Sequence, residues 1–174
     1  MQLAEVKITE TFKIAGFEFI KFSDKDGVTV AVAKDCVFNS IYGSNNNFSK
    51  SKALDRLNNK ILPTIEKAVG TENIIEFETD LLSLDGLNTH GKIKSKISLP
   101  TFDFYRNNVK IFDKHKLNNW WWLATPDTTK EHLNDYWTTC VSPYGSIINY
   151  DCNSNNGVRP ILCFVSSISV SSDD

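Results

Sequence analysis

Residues 120–122 are three consecutive tryptophans, followed by Leu123 and Ala124. A strand turns successive side chains to opposite faces, so Trp120 and Trp122 share one face and Trp121 takes the other. Side chains this large bury most of their surface. At least one is expected in the core and one near the surface or under a loop. The run holds three of the chain's four tryptophans and makes a sheet the centre of its last third.

The flanking text extends that sheet. Thr125-Pro126-Asp127 ends the first run, and Tyr136 to Val141 reads as a second strand. Ser142-Pro143-Tyr144-Gly145 has the proline and glycine of a β-turn. Ser146 to Tyr150 returns, the polar stretch Asp151 to Asn156 loops, and Gly157 to Phe164 closes the set.

Nearer the N-terminus, residues 12–33 read as a hairpin. Phe17 and Phe19 alternate with Glu18 and Ile20, Asp24 to Gly27 supplies turn chemistry, and Val28 to Ala33 is a β-branched run. Ser49 or Ser51 caps a helix carrying Leu54, Leu57 and Ile61, kinked or broken near Pro63, with Gly70 ending it. Residues 73–82 alternate: Ile75, Phe77, Thr79 and Leu81 on one face, Glu76, Glu78 and Asp80 on the other. Residues 83–98 read as loop. Thr101 caps a short helix from Phe102 to about Lys110. The fold class expected is α+β, with mixed, mostly antiparallel sheets and one or two helices. The organisation expected is one compact domain over 1–174: hairpin and helix 12–70, acidic strand and loop 71–100, C-terminal sheet segment 101–165, disordered tail 166–174.

Composition narrows the function. With 41% hydrophobic and 23% charged residues in 174 positions, the chain is an ordinary globular one. Its net charge of −2 argues against direct nucleic-acid binding, which usually shows a basic excess. No apolar run approaches the roughly 20 residues of a membrane helix. MQLAEVKITE lacks the pattern of a secretory signal, so a reducing cytosol is expected.

In that compartment Cys36, Cys140, Cys152 and Cys163 are not expected to form disulfides. None belongs to a C-x-x-C pair. Their common use is as small buried hydrophobes. The alternative is a structural zinc site. Cys140, Cys152 and Cys163 are each about a strand and a turn apart, and one of His90, His115 or His132, with His132 preferred, would complete four ligands. Glu76, Glu78 and Asp80 have two readings as well: a solvated strand face, or a docking ridge for a basic protein partner.

The order WWWLATP, CVSPYGSIINY, NGVRPILCF resembles a family of uncharacterised proteins common in Firmicute prophages and mobile elements. Its W-W-L-R-[ST]-P … V-x-x-x-G … G-V-R-P motif is similar to that of C-type-lectin-like domains, whose fold family includes retroelement variable proteins and formylglycine-generating enzymes. The strings SNNNFSKSKALDRLNNKILP, VGTENIIEFETDLLSLDG and KISLPTFDFYR resemble that prophage family too. The chain departs from the motif at Ala124, where the broader pattern often has arginine. The resemblance implies a C-type-lectin-like C-terminal part, with ligand contacts on the loops 127–135 and 151–156. Arg159, before Pro160, is expected to anchor a loop through its guanidinium.

No calcium loop, G-x-S-x-G, H-E-x-x-H or G-x-G-x-x-G is present. Cys152 and Cys163 do not match the cysteine pair of formylglycine-generating enzymes, so an enzyme is not expected. The expectation is a phage-encoded, non-enzymatic, protein-binding inhibitor of host defence. It resembles in context a type II-A anti-CRISPR protein that binds Cas9 in the cytoplasm of the infected host. The alternative is a lectin-like ligand- or receptor-binding module.

Overall fold

The computed structural model of the chain describes residues 1–171. β1 (Thr11–Ile14), β2 (Phe17–Lys25) and β3 (Val28–Ala33) form an antiparallel meander, one strand more than the expected hairpin. Asp26 and Gly27 join β2 to β3 at φ of 52° and 76°. Two consecutive residues with positive φ match the twist of the flanking strands, which is why an aspartate-glycine pair stands here.

β4 (Phe38–Ser40) leads to a helical stretch in three pieces: α1 (Lys52–Arg56), a π-helical turn (Leu57–Ile61) and α2 (Leu62–Val69). The Ser51 hydroxyl accepts the Leu54 N–H at 3.0 Å and caps it. Pro63 sits in the first turn of α2. It has no N–H to give the preceding turn, and Leu62 reaches back five residues to the Leu57 carbonyl. The break expected near Pro63 is this widened turn.

The next segment departs from expectation. The alternating run 73–82 divides at Glu76 into β5 (Ile74–Ile75) and β6 (Phe77–Asp80). Residues 83–98, expected as loop, contain β7 (Lys92–Ser95) and β8 (Ile97–Ser98). β6 pairs with β7, Glu78 facing Lys94 and Asp80 facing Lys92. Lys92, Lys94 and Lys96 give this segment a polar look, while Ile93 and Ile97 carry its apolar positions. The expected single helix after Thr101 is two, α3 (Phe102–Asn107) and α4 (Val109–Lys114), divided at Asn108. The Thr101 hydroxyl caps α3 by accepting the Phe104 N–H at 3.1 Å.

β9 (Trp121–Pro126), β10 (Trp137–Val141), β11 (Ile147–Asp151), β12 (Asn156–Val158) and β13 (Ile161–Val165) complete the chain. One sheet of six strands runs β1-β2-β3-β13-β5, with β8 also on β13. A second of five runs β11-β10-β9-β12-β4. All pairings are antiparallel except β12 along β9. The fold class is α+β, as expected.

Both sheets bury side chains on two faces. The larger core takes Phe12, Phe19, Leu162 and Phe164 from the first sheet, Trp122 and Ala124 from the second, and Leu54, Leu57, Ile61 and Ile65 from the helical stretch. The smaller core takes Ile20, Val32 and Ile161, then Trp121, Leu123 and Val141, under Tyr105 and Phe112. Trp120 lies half-buried against the larger core, its ring 5.4 Å from Tyr150. The alternation expected of the three tryptophans is what separates the cores.

The step from β12 to β13 carries the chain between sheets. Gly157 is needed there because a Cβ would collide with the Cys36 sulfur and come within 2.8 Å of Asn119 Nδ2. Arg159 is buried, and Nε donates to Ala33 O at 2.8 Å. One terminal nitrogen donates to Lys34 O at 2.9 Å and to His115 O at 3.1 Å. Its guanidinium lies 5.0 Å from the Trp121 ring centre. It ties the ends of β3 and α4 to the start of β13, the loop-anchoring role expected of it.

Residues 166–171 of the expected disordered tail pack on the N-terminus. Leu3 N–H donates to Ile168 O at 2.9 Å and Val170 N–H to Met1 O at 3.0 Å, and Ile168 and Val170 are buried. Two apolar side chains in a Ser-rich run suffice for this. Residues 172–174 lie outside the described residues.

Candidate functional site

The smaller core is left open at one end. Beyond Ile161, the first sheet presents Val30 and Cys163 as the floor of a cavity of about 350 Å³. Phe77 and Thr79 of β6 form one wall, and Leu99, Pro100 and Phe104 the other. A second cavity of about 240 Å³ continues past Ser83, Gly86 and Arg106. Asp80, Thr101 and Asp103 line both, so the two make one groove.

Local structure places the charges on its rim. The period of β6 turns Thr79 inward, where its hydroxyl bonds that of Ser98 at 2.8 Å, and leaves Glu78 and Asp80 exposed. Asp103 stands in the first turn of α3, where a carboxylate suits the helix dipole. Two of these carboxylates have neighbours of opposite charge. Lys92 lies 3.5 Å from Glu78, and Arg106 lies 2.9 Å from Asp103. Each of these four side chains is at least half exposed, so water screens both pairs and leaves the carboxylates available. Asp80 accepts the Leu82 N–H at 3.1 Å.

Next to the groove, two loops meet at Asp85, and a third, carrying Asn46, braces them. Its carboxylate accepts the Ser83 hydroxyl at 2.5 Å and the Thr128 hydroxyl at 2.6 Å, and His132 Nδ1 lies 2.7 Å away. The two hydroxyls chiefly hold its pKa down at about 2. Asn46 is fully buried, and its Nδ2 donates to Thr128 O at 2.7 Å and Trp137 O at 2.8 Å. His90 Nε2 reaches Asn46 Oδ1 at 2.9 Å. Burial lowers the pKa of His90 and raises that of Asp127. Leu133, Tyr136 and Trp137 stand exposed beside this network.

The residues singled out in the sequence are distributed as follows. Glu78 and Asp80 line the groove, whereas Glu76 is exposed at the break between β5 and β6 and does not line it. The ridge is also less acidic than the sequence implies, because β7 sets lysines against it. Cys140 and Cys152 are buried in the larger core. Cys163 is in the groove floor and His132 is on Asp85. The described residues hold no group of three or more His, Cys, Asp or Glu side chains placed to bind a metal.

The zinc cluster of Cys140, Cys152, Cys163 and His132 is therefore corrected. It assumed strands paired in one sheet, but the chain changes sheets at Arg159-Pro160 and takes Cys163 away from Cys140. All four cysteines are free thiols, and burial pushes their pKa values up to about 11 or 12. Sequence reasoning did not single out Asp85, Asn46 or Asp103 as site residues. Asp85-Gly86 reads as turn punctuation, and nothing local marks Asn46 as the support of a distant loop.

A six-stranded and a five-stranded sheet with an acid-rimmed groove define a mixed α+β protein with a surface suited to binding. A family profile for a domain of unknown function, DUF6273, matches residues 27–166, and the chain belongs to that family. No curated protein and no solved structure matches it. Among the described residues, no helix is long and apolar enough to cross a membrane.

Proposed function

We propose that the chain is a non-enzymatic protein-binding module whose groove takes a basic, partly apolar segment of a partner protein. The observation that carries this reading is the apolar floor of Val30, Ile161 and Cys163 beneath the carboxylates of Glu78, Asp80 and Asp103. Such a cleft desolvates an apolar anchor, while the rim steers and orients a neighbouring cation. The prophage-family resemblance supplies the context of a host protein and an inhibitor of host defence. In its most concrete form the chain is an anti-CRISPR protein, acting in the cytoplasm of an infected bacterium. It binds Cas9 where the enzyme is basic to hold nucleic acid, and so blocks loading or cleavage.

A pull-down with Cas9 and a DNA-cleavage assay test this. Inhibition at near-equal concentrations, lost when Asp80→Lys and Asp103→Lys are combined, supports it. Normal cleavage at large molar excess overturns the Cas9 form. Inhibition untouched by the double substitution overturns the groove.

A second reading follows the C-type-lectin-like motif. Exposed Leu133 on the loop 127–135, with exposed Tyr136 and Trp137 just after it, favours a ligand-binding face beside the Asp85 network. A glycan array probed with the protein and with Trp137→Ala distinguishes it. Binding that depends on Trp137 favours this reading over the first.

A further inference from the structure

We propose that two copies of this chain pair edge to edge through β11, joining their five-stranded sheets into one. The argument begins with how the other edges are kept from pairing, since an open strand edge recruits another strand unless something blocks it. β1 is covered by the last described residue, the Lys13 N–H donating to Ser171 O at 2.8 Å. β4 is guarded by Arg56, which donates to Asn39 O at 3.1 Å and lies over the Phe38 ring. β5 and β8 are two residues each. β6 carries Glu78 and Asp80, and β7 carries Lys92 and Lys94.

β11 ends its sheet and, among the described residues, has no such device. It reads Ile-Ile-Asn-Tyr-Asp, without proline or lysine, and its one charge is at its end. Its backbone groups are aimed at a partner. Ser142 N–H donates to Ser146 O and Cys152 N–H to Tyr136 O, each at 2.9 Å, at the two ends of the β10–β11 ladder. Alternation between those bonds has Ile148 and Tyr150 bonded inward to β10. Ile147 and Asn149 turn their N–H and C=O outward; Asp151 turns its N–H outward, while its C=O already accepts the Ser154 N–H at 2.9 Å and could take a partner's N–H only as a second one.

A second copy fits this edge. With a two-fold axis at Asn149, the antiparallel register sets Asn149 against itself and Ile147 against Asp151, so outward-facing residues meet outward-facing residues. Ile148 then faces Tyr150 across the seam. Both are half-buried against the larger core, so their contact extends an apolar surface already present. The two Asp151 side chains fall at opposite ends of the seam and do not oppose each other.

Sedimentation equilibrium of the full chain up to about 500 µM tests this, because an edge seam of small area is expected to associate in the micromolar range. Asn149→Pro removes an outward N–H without touching the β10 ladder. Asn149→Lys sets two positive charges against each other on the axis. Each is expected to weaken the dimer by about tenfold or more. Both also remove the Asn149 side-chain hydrogen bond to half-buried Asp127, so a melt of each variant at low concentration checks that the monomer is still folded. If Asn149→Pro does not fold, Asn149→Lys decides. A monomer at the highest concentration overturns the proposal, and so does a dimer that neither substitution weakens.

Discussion

Trp121 and Trp122 are neighbours in the chain, yet they belong to cores that are finished differently. The core of Trp122 is sealed, with a helical stretch from Lys52 to Val69 lying across it and the indole N–H donating to Ser40 O at 2.9 Å. The core of Trp121 is roofed by two six-residue helices and stops short of the sheet's end. Val30, Ile161 and Cys163 are left beneath a groove. One core has its surface committed to stability, while the other ends at half-buried Val30 beneath a cleft rimmed with charge. The proposed binding surface comes from an unfinished layer rather than from an added element.

Substitutions on the two sides test that contrast. Trp122→Ala is expected to cost about 3–5 kcal/mol in a urea titration, because the sealed core cannot collapse around the space. Arg159→Ala is expected to cost about 3 kcal/mol, since one buried and two part-buried carbonyls lose their donor at the seam between sheets. A loss below about 1 kcal/mol would show that water replaces the guanidinium there. Phe104→Ala, on the groove wall, is expected to cost only about 1–2 kcal/mol. A loss as large as that of Trp122→Ala would mean the groove is as closed as the larger core.

Smaller still is the acid limb of stability. The Asp85 pKa lies below its unfolded value, so its contribution is complete above pH about 3.8 and is lost as pH falls through about 2. Allowing for its partial exposure, this amounts to about 1 kcal/mol. Thermal melts should show Asp85→Asn less stable than the parent above that window and converging with it below. Smallest is the double neutralisation Glu78→Gln, Asp80→Asn, expected to move stability by no more than about 0.5 kcal/mol. A large change would mark these carboxylates as structural and end their use as a binding rim.

What the sequence discloses follows how local the cause is. The Asp26-Gly27 turn, the caps at Ser51 and Thr101, the widened turn before Pro63 and the division of the tryptophans each depend on residues a few positions apart. All were legible. β7 was not, because its strand character comes from pairing with β6 and its lysines resemble a loop. The cysteine cluster failed for a related reason. Spacing in the chain does not reveal that Pro160 separates two sheets. Of the groove, only Glu78 and Asp80 could be read in advance. Asp103 and Cys163 reach it from α3 and β13, elements far apart in sequence.

The position of β13 also has a consequence in time. It is the last strand in the chain, yet it lies inside the six-stranded sheet, against β3 on one side and β5 and β8 on the other. During synthesis from the N-terminus the meander β1–β3 can form early, but β5 and β8 wait for residues 161–165. The larger sheet, both cores and the groove floor are therefore completed late, from contacts distant in sequence. Such an order makes for slow folding and a prolonged need for shielding of the half-built sheet.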